Sequence, residues 1–270
     1  MRRGACGAAM AALALAFTPA RATQPLWELG LGGTALTVPH YRGSDQSHDW
    51  VLPIPFAVYR GRIFRATREG ARAVLMESDR LDFDISFAIS PPTRSRDNVA
   101  RSGMPDLAAT IEAGPNMNLM LARGAAWKLQ FRLPVRAVVT LASNPRTVGW
   151  TASPVLNLDL DVKDGNLGLQ FGPLAATRAH HAYYYDVAPA YATVGRPAYD
   201  APGGGAGWGF TAGGSRRFGK LWVAGFVRAS SVAGAAFEPS PLVRQRENLS
   251  YGVALSWVFA ASATQVPDDR

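Results

Sequence analysis

The chain is dominated by strict alternation of apolar and polar residues. From Trp127 to Leu141 every second residue is apolar, and the residues between include Lys128 and Arg132. Successive side chains of a β-strand point to opposite faces, so this segment is predicted to be a strand with one apolar and one polar face. The same pattern recurs at 81–89, 148–162 and 249–259.

The length of these segments favours a membrane barrel over a soluble sandwich. They run for roughly 9–15 residues, whereas strands of soluble proteins average about 5–6 and tilted membrane strands need about 9–11. Their polar faces combine glycines and small residues with scattered charges, which suits a hydrated interior. After residue 22 no run of 18 apolar residues occurs, which excludes a helical inner-membrane protein. The predicted fold class is all-β, an antiparallel transmembrane β-barrel.

We expect about twelve strands and a periplasmic N-terminus, because an even number returns the C-terminus to the same side. The predicted strands are 26–38, 50–60, 62–67, 71–77, 81–90, 107–121, 126–141, 148–162, 167–178, 206–217, 219–232 and 247–259. If the segment 61–80 holds one strand or a plug segment instead of two strands, ten strands is the alternative. Short turns would face the periplasm, and the long loops 39–49, 91–106, 179–205 and 233–246 would face outward. We interpret 91–106 as an ordered cap over the barrel mouth.

All seven tryptophans fall at or near predicted strand ends. Indole rings favour the membrane–water boundary, so we expect them to form aromatic girdles. They are Trp27, Trp50, Trp127, Trp150, Trp208, Trp222 and Trp257.

The N-terminus predicts export. Residues 1–22 combine Arg2 and Arg3 with a short apolar stretch and a small-residue cleavage site, as in a secretory signal peptide. The signal includes the sole cysteine, Cys6, so the mature chain has no disulfide, thiolate metal site or cysteine nucleophile. We therefore predict a signal at 1–22, a barrel at 23–259 and a polar tail at 260–270, located in the outer membrane of a Gram-negative cell.

The charge is mildly basic. The 28 Lys and Arg against 20 Asp and Glu give +8, and removing Arg2, Arg3 and Arg21 with the signal leaves +5. There is no run of five like charges, so a nucleic-acid partner is not indicated. Attraction to anionic lipid or acidic wall polymer is the interpretation that fits.

The charges on polar strand faces are the candidate lumen residues. They are Asp82, Asp84, Glu112, Lys128, Arg132, Arg136, Asp159, Asp161 and Arg228. Buried charges must pair or be hydrated. Neighbouring strands place Lys128, Arg132 and Arg136 opposite Asn157, Asp159 and Asp161, so we predict pairing across that seam, which favours a structural role over conduction.

Over most of its mature length the chain resembles the MipA/OmpV family of outer-membrane proteins. The resemblance is carried by the stretches Trp27–Gly32, Pro39–Asp45, Leu52–Pro55, Tyr59–Gly61, Gly103–Leu107, Glu112–Pro115, Leu133–Arg136 and Ser240–Val243, together with a closing aromatic strand. Each stretch is weak alone, whereas their order and spacing are fairly specific. The chain departs from the usual ending of outer-membrane barrels, because eleven residues follow Phe259.

The resemblance implies an outer-membrane barrel that acts as a scaffold, bringing a murein-degrading transglycosylase together with a murein synthase. Other members resemble general outer-membrane proteins linked to adhesion, osmotic response or drug uptake, so a small-solute channel or adhesin is the alternative function. The family has no agreed catalytic residues, and none is assigned here. No cofactor is expected, and the sequence does not indicate an oligomeric state.

Two loop clusters contain residue types that could carry chemistry. His40, Asp45, His48 and Asp49 share the first long loop, and His180, His181 and Asp186 share the third. His and carboxylate groups ligate zinc or copper, but polar surface loops and boundary aromatics are the plainer interpretations. A lipid hydrolase would need a Ser–His pair, and His40 with Ser44 or His180 with Ser215 lacks a third orienting group in the sequence. We therefore expect a non-enzymatic protein.

Overall fold

The computed structural model describes residues 23–61, 64–67 and 70–267, and the predicted signal 1–22 lies outside them. The strands are β1 (Thr23–Pro25), β2 (Trp27–Pro39), β3 (Ser47–Arg60), β4 (Phe64–Thr67), β5 (Gly70–Met76), β6 (Leu81–Ser90), β7 (Thr110–Arg123), β8 (Trp127–Thr140), β9 (Thr147–Ala152), β10 (Val155–Val162), β11 (Gly165–Ala176), β12 (Gly204–Phe218), β13 (Leu221–Ser231), β14 (Glu247–Ala261) and β15 (Gln265–Pro267). One α-helix, α1 (Arg178–Tyr185), and three short 3-10 helices lie in the loops.

Strands β2 to β14 form one antiparallel sheet that closes on itself. Apart from β9 and β10, each strand pairs with its sequence neighbours, and β14 pairs with β2. Strands β9 and β10 both lie between β8 and β11, so they are two halves of one crossing. The interruption falls at Ser153 and Pro154, where proline has no N–H to donate to the ladder. The barrel therefore has twelve crossings, as predicted, rather than the alternative ten.

The uncertain segment 61–80 contains two short strands, as the sequence analysis expected. Tyr59 of β3 pairs with Ala66 of β4, and Phe64 of β4 pairs with Ala73 of β5. Residues 62–63 and 68–69 lie outside the described part. Among the described residues, no helix has the length and apolar character that crossing a bilayer requires.

The two ends of the described chain meet at the turn end of the barrel, where the short turns lie. Thr23 of β1 pairs with Pro267 of β15 in a separate two-stranded sheet. Arg60 attaches this sheet to the barrel, since its Nη1 donates to the Pro25 carbonyl at 2.7 Å. Strand β14 continues to Ala261, and part of the predicted 260–270 tail lies in β15.

The outer face of the barrel is a continuous apolar surface. Leu31, Val253, Leu255 and Phe259 are all exposed, as lipid-facing side chains of a barrel are. Neighbouring positions point inward, and Gly252 shows why small residues occur there. A Cβ at Gly252 would lie 2.9 Å from the Phe226 ring, so glycine makes room for this inward aromatic side chain.

At the opposite end, four long loops pack together into a cap, which we define as residues 40–46, 91–109, 177–203 and 232–246. The cap has its own buried core, whose largest members are Tyr41, Leu107, Tyr185, Phe237 and Leu242. The rings of Tyr185 and Phe237 stack at 3.7 Å between centroids. Burial of these side chains stabilises the loops in the way that a core stabilises a small domain.

Hydrogen bonds link the four loops of the cap. The Tyr185 hydroxyl donates to the Arg42 carbonyl at 2.9 Å, and the Ser240 hydroxyl donates to the Tyr185 carbonyl at 2.7 Å. Arg101 is buried and its Nη1 donates to the Tyr184 carbonyl at 2.9 Å. These contacts show that 91–106 is part of an ordered cap, to which three other loops also contribute.

Adjacent residues on β14 provide a test of inside and outside. Replacing Leu255 by lysine puts a charge on the lipid face near mid-strand, which we expect to lower the free energy of unfolding by about 2–4 kcal/mol. Ala254→Lys points into the lumen and should cost less than half as much, because water and Asp159 are available there. Urea titration of both variants in lipid vesicles measures the difference. Equal losses would contradict the assigned faces.

Candidate functional site: the barrel lumen

All nine predicted lumen charges lie at inward positions of their strands. Asp82 and Asp84 are on β6, Glu112 is on β7, Lys128, Arg132 and Arg136 are on β8, Asp159 and Asp161 are on β10, and Arg228 is on β13. The alternation of exposure fixes this phase, since Phe87 and Ile89 of β6 are exposed to the outside while Asp84 is buried. The lumen is therefore lined by charge, as a hydrated interior allows.

The predicted seam between β8 and β10 is held by an ion pair. Arg132 Nη2 lies 3.0 Å from Asp159 Oδ2, and Asn157 Nδ2 donates to the same oxygen at 2.6 Å. Gln170 extends the network by donating to Asn157 Oδ1 at 2.9 Å. Arg132 and Asn157 thus both donate to the Asp159 carboxylate. The Arg132–Asp159 ion pair is the kind of pairing that the sequence predicted.

Arg136 departs from the predicted seam. Because β9 and β10 are separated by a break, Arg136 lies opposite Thr151 of β9 rather than opposite an acid. It turns instead toward β7 and β6, where Nη1 lies 3.9 Å from Glu112 Oε2 and Nε donates to Ser86 Oγ at 2.9 Å. The interruption of one strand therefore changes the partner of a lumen arginine.

Asp84 is held by amide groups. Asn116 Nδ2 donates to Asp84 Oδ1 at 3.2 Å, and Asn118 Nδ2 donates to Oδ2 at 2.9 Å. The carboxylate is 2% exposed, so these donors replace much of its lost hydration. This part of the lumen wall is a hydrogen-bond network centred on Asp84, in which Asn116 Nδ2 also donates to Asn118 Oδ1 at 3.0 Å.

A second ionic lock, which the sequence analysis missed, lies near the turn end. Glu28 is 1% exposed, and its Oε1 lies 3.3 Å from Arg60 Nη2 while Oε2 lies 2.6 Å from Arg217 Nη1. Arg217 belongs to β12, which is three strands from β2 around the barrel. Glu28 lies on the polar face of its strand, together with Gly30 and Gly32. That alternation is the sequence feature that could have identified Glu28 as a lumen residue.

Five of the seven tryptophans face outward. Trp27, Trp127 and Trp257 lie toward the turn end, and Trp150 and Trp208 lie toward the cap, with Trp208 stacking on Phe171 at 5.3 Å. Both boundaries of the apolar surface therefore have indole rings, as girdles do.

Trp50 and Trp222 are corrections to the predicted girdle, because both face the lumen. Trp222 packs with Phe56, Val58 and Val258 in a small apolar cluster at the turn end. Trp50 pairs across the ladder with inward-facing Leu36 and contacts the ring of His48. Both residues alternate with the outward-facing residues of their strands, so their side chains point into the lumen. A position near a strand end does not show whether a side chain faces the lipid or the lumen.

A cavity of about 310 Å³ lies inside the barrel. One side is polar and contains the Arg132–Asp159 pair with Gln170, and the other includes Trp222 and Phe226. The lumen is thus neither uniformly polar nor uniformly apolar, which sequence alternation alone does not predict.

The candidate catalytic pair His40 and Ser44 is separated by an asparagine. Asn98 Nδ2 lies 2.9 Å from His40 Nδ1 and donates to Ser44 Oγ at 3.1 Å, while the Ser44 hydroxyl donates to the Gln46 carbonyl. Ser44 is fully buried, so no substrate reaches its hydroxyl. The arrangement joins two cap loops and does not activate a nucleophile.

The other loop candidates are also separated or partnered. His180 belongs to α1 in the cap, whereas Ser215 lies toward the turn end of β12 and donates to Asn166 Oδ1 at 2.6 Å. His181 Nδ1 lies 2.6 Å from the Pro202 carbonyl, and Asp186 pairs with Arg178 at 3.0 Å. The rings of His40 and His48 lie 3.9 Å apart, but nowhere in the described ranges do three or more His, Cys, Asp or Glu form a metal-binding group.

Solved structures of several outer-membrane proteins are similar to this chain. A bacterial polysaccharide outer membrane secretin has 7% identity and a TM-score of 0.43, with 87% of this chain and 99% of that chain covered. An outer membrane channel from Pseudomonas putida F1 has 12% identity and a TM-score of 0.39, covering 89% and 96%. Outer membrane phospholipase A from Escherichia coli, as an active-site mutant, has 11% identity and a TM-score of 0.34, covering 90% and 92%.

None of the curated protein sequences matches the chain. The family model described as "MltA-interacting protein MipA" matches residues 31–259, which span the barrel from β2 to β14. The match includes the cap loops and the lumen charges described above. This outer-membrane barrel protein belongs to the MipA family.

Proposed function

We propose that the protein is a non-enzymatic scaffold that holds a murein-degrading transglycosylase against the periplasmic side of the outer membrane, where a murein synthase can join it. The name of the family describes interaction with such an enzyme, MltA. The observation that carries the proposal is the cap, because four loops with a shared core cover one end of the barrel. The opposite end, with its short turns, is the periplasmic end in outer-membrane barrels.

The turn end provides a basic docking surface. Arg123, Lys163, Arg216 and Lys220 are exposed there. Such a cluster attracts acidic protein surfaces and acidic wall polymer through long-range electrostatics. The two-stranded β1–β15 sheet lies at the same end and extends this docking surface. A partner bound here would stand between the membrane and the murein layer.

Charge reversal at the turn end is the direct test. We expect a variant carrying Arg123→Glu, Lys163→Glu and Lys220→Glu to bind immobilised transglycosylase at least about tenfold more weakly than the intact protein, since opposed rim charges weaken association. Full-length protein in detergent is passed over the enzyme, and the retained fraction is measured at several salt concentrations.

The matched control reverses two exposed charges of the loop end, Arg146→Glu and Arg244→Glu. This control should bind as the intact protein does. A second comparison removes residues 262–270, which include β15. Loss of binding in the loop-end control alone, or no retention of the intact protein, would refute the scaffold.

A closed barrel mouth predicts the absence of conduction. In planar bilayers at about pH 7 we expect no steady single-channel steps from the intact protein, because the cap core closes the loop end. Phe237→Ala removes a ring that is 1% exposed and should allow flickering openings. Steady steps from the intact protein would favour the channel alternative over the scaffold.

The cap should loosen in acid. Burial lowers the pKa of His180 to about 4, with His181 and Arg42 adding to the effect, and burial also lowers the pKa of His40 and His181. Because the folded pKa values lie below the unfolded value of 6.5, the unfolded loops take up protons first as the pH falls. The stability of the cap is therefore complete above about pH 6.5 and declines toward about pH 4.

Hydrogen exchange, corrected for the intrinsic effect of pH, measures this loosening. Protection in 177–203 should fall between about pH 7 and about pH 4.5, while strands β12–β14 keep theirs. His180→Phe should remove part of the dependence. Unchanged protection of the cap across this range would contradict the assignment.

A further inference from the structure

Three guanidinium groups and two carboxylates lie near one another beneath the cap, and the carboxylates are Glu112 and Asp84. Arg228 interacts electrostatically with Glu112, Arg136 and Arg42, which come from three different parts of the chain. Arg42 extends from the first cap loop, and its Nη2 donates to the Trp208 and Ser231 carbonyls at 3.2 and 3.1 Å. Positive charge therefore exceeds negative charge in this part of the interior.

Glu112 is already occupied by other groups. Thr151 Oγ1 donates to its Oε2 at 3.2 Å, and Arg136 lies 3.9 Å from the same oxygen. Arg228 has no ion pair within the described part of the chain, and its Nε donates to Thr211 Oγ1 at 3.2 Å. Its side chain is solvent-accessible although it faces the lumen. The guanidinium thus feels the charge of Glu112 without a direct ion pair, and it is accessible to a ligand.

Two buried nitrogens in the same region also have no partner among the described residues. They are Arg42 Nε and His180 Nδ1, and Arg42 and His180 interact electrostatically. An unsatisfied buried donor costs about 1–3 kcal/mol, and more when it is charged. A bound anion would supply an acceptor for Arg42 Nε, which is a donor in every protonation state.

The lumen cavity lies beside this group of arginines. Thr211 lines the cavity and accepts the hydrogen bond from Arg228, which places the guanidinium at the edge of the cavity. Phe226 and Trp222 line the cavity, and the Arg132–Asp159 ion pair lies on its polar side. A ligand that filled it would meet Arg228 at one edge and aromatic side chains along its body.

We propose that this cavity is a binding site for a small organic carboxylate. Arg228 holds the carboxylate through its planar donor pair, Arg136 and Arg42 contribute positive charge, and the apolar body of the ligand packs against Phe226 and Trp222. Guanidinium groups match the carboxylate geometry by forming two parallel hydrogen bonds. The volume of about 310 Å³ suits a single ring or a short chain rather than a lipid. Nothing in this site depends on the proposed scaffold.

Fluorine NMR of para-fluorobenzoate tests the site on the full chain in lipid nanodiscs. We expect saturable binding of para-fluorobenzoate and none of the uncharged para-fluorobenzamide, which has the same shape. Arg228→Gln should weaken binding about tenfold or more, because a charge-assisted hydrogen bond is lost. The probe is added both before and after refolding, so that slow entry does not hide binding.

The matched control is Arg146→Gln, because Arg146 is an exposed arginine in the loop between β8 and β9. It should bind the probe as the intact protein does. Folding of each variant is checked by heat-dependent migration in detergent gels. Where Arg228→Gln does not fold, Arg228→Lys keeps the charge but loses the planar pair and should bind measurably more weakly. Equal binding of the amide, unchanged binding by either Arg228 variant, or absence of saturable binding would overturn the proposal.

Discussion

Every other feature of the structure depends on closure of the sheet, because a bilayer provides no water to satisfy backbone N–H and C=O groups. The closing contacts are unusual in that β8 and β11 meet both β9 and β10 across one interrupted crossing. The interruption at Pro154 leaves a local gap in the ladder, yet both halves keep two neighbours each. Closure converts a simple alternation along the chain into an outside that is apolar and an inside that is polar.

An enclosed interior then determines how each charge is stabilised. Asp159 and Glu28 are paired with arginines, and Asp84 accepts from two asparagine amides. These groups have exchanged hydration for fixed partners, and removing one partner would leave the other buried without compensation. Arg228 differs because its environment contains solvent-accessible space and an excess of positive charge. The contrast explains why the paired groups are structural and the unpaired arginine is a candidate for binding.

The alternation of residues predicted the number and approximate limits of the strands, and it predicted the inward phase of the nine charges. The Arg132–Asp159 pair followed from it, because neighbouring strands in a meander have a predictable register. The pairing of Glu28 with Arg217 did not follow from the alternation, because Arg217 comes from a strand that is not adjacent to β2. Trp222 was assigned to the wrong face because its position near a strand end was weighed above its phase. The cap core also lay beyond prediction, because loop sequences have no periodicity that places Tyr185 against Phe237.

The distribution of apolar side chains inside the barrel argues for a compartment rather than a pore. At the turn end Trp222 packs with Phe56 and Val258 beside the Glu28 lock, and at the other end the cap core spans four loops. Open space remains between the cap core and the turn-end cluster, where the cavity lies. A pore would need continuous hydration along its axis, whereas the cap core interrupts it at the loop end and the turn-end cluster narrows it. The same division leaves the short turns and the β1–β15 sheet as the surface through which the barrel can meet a periplasmic protein.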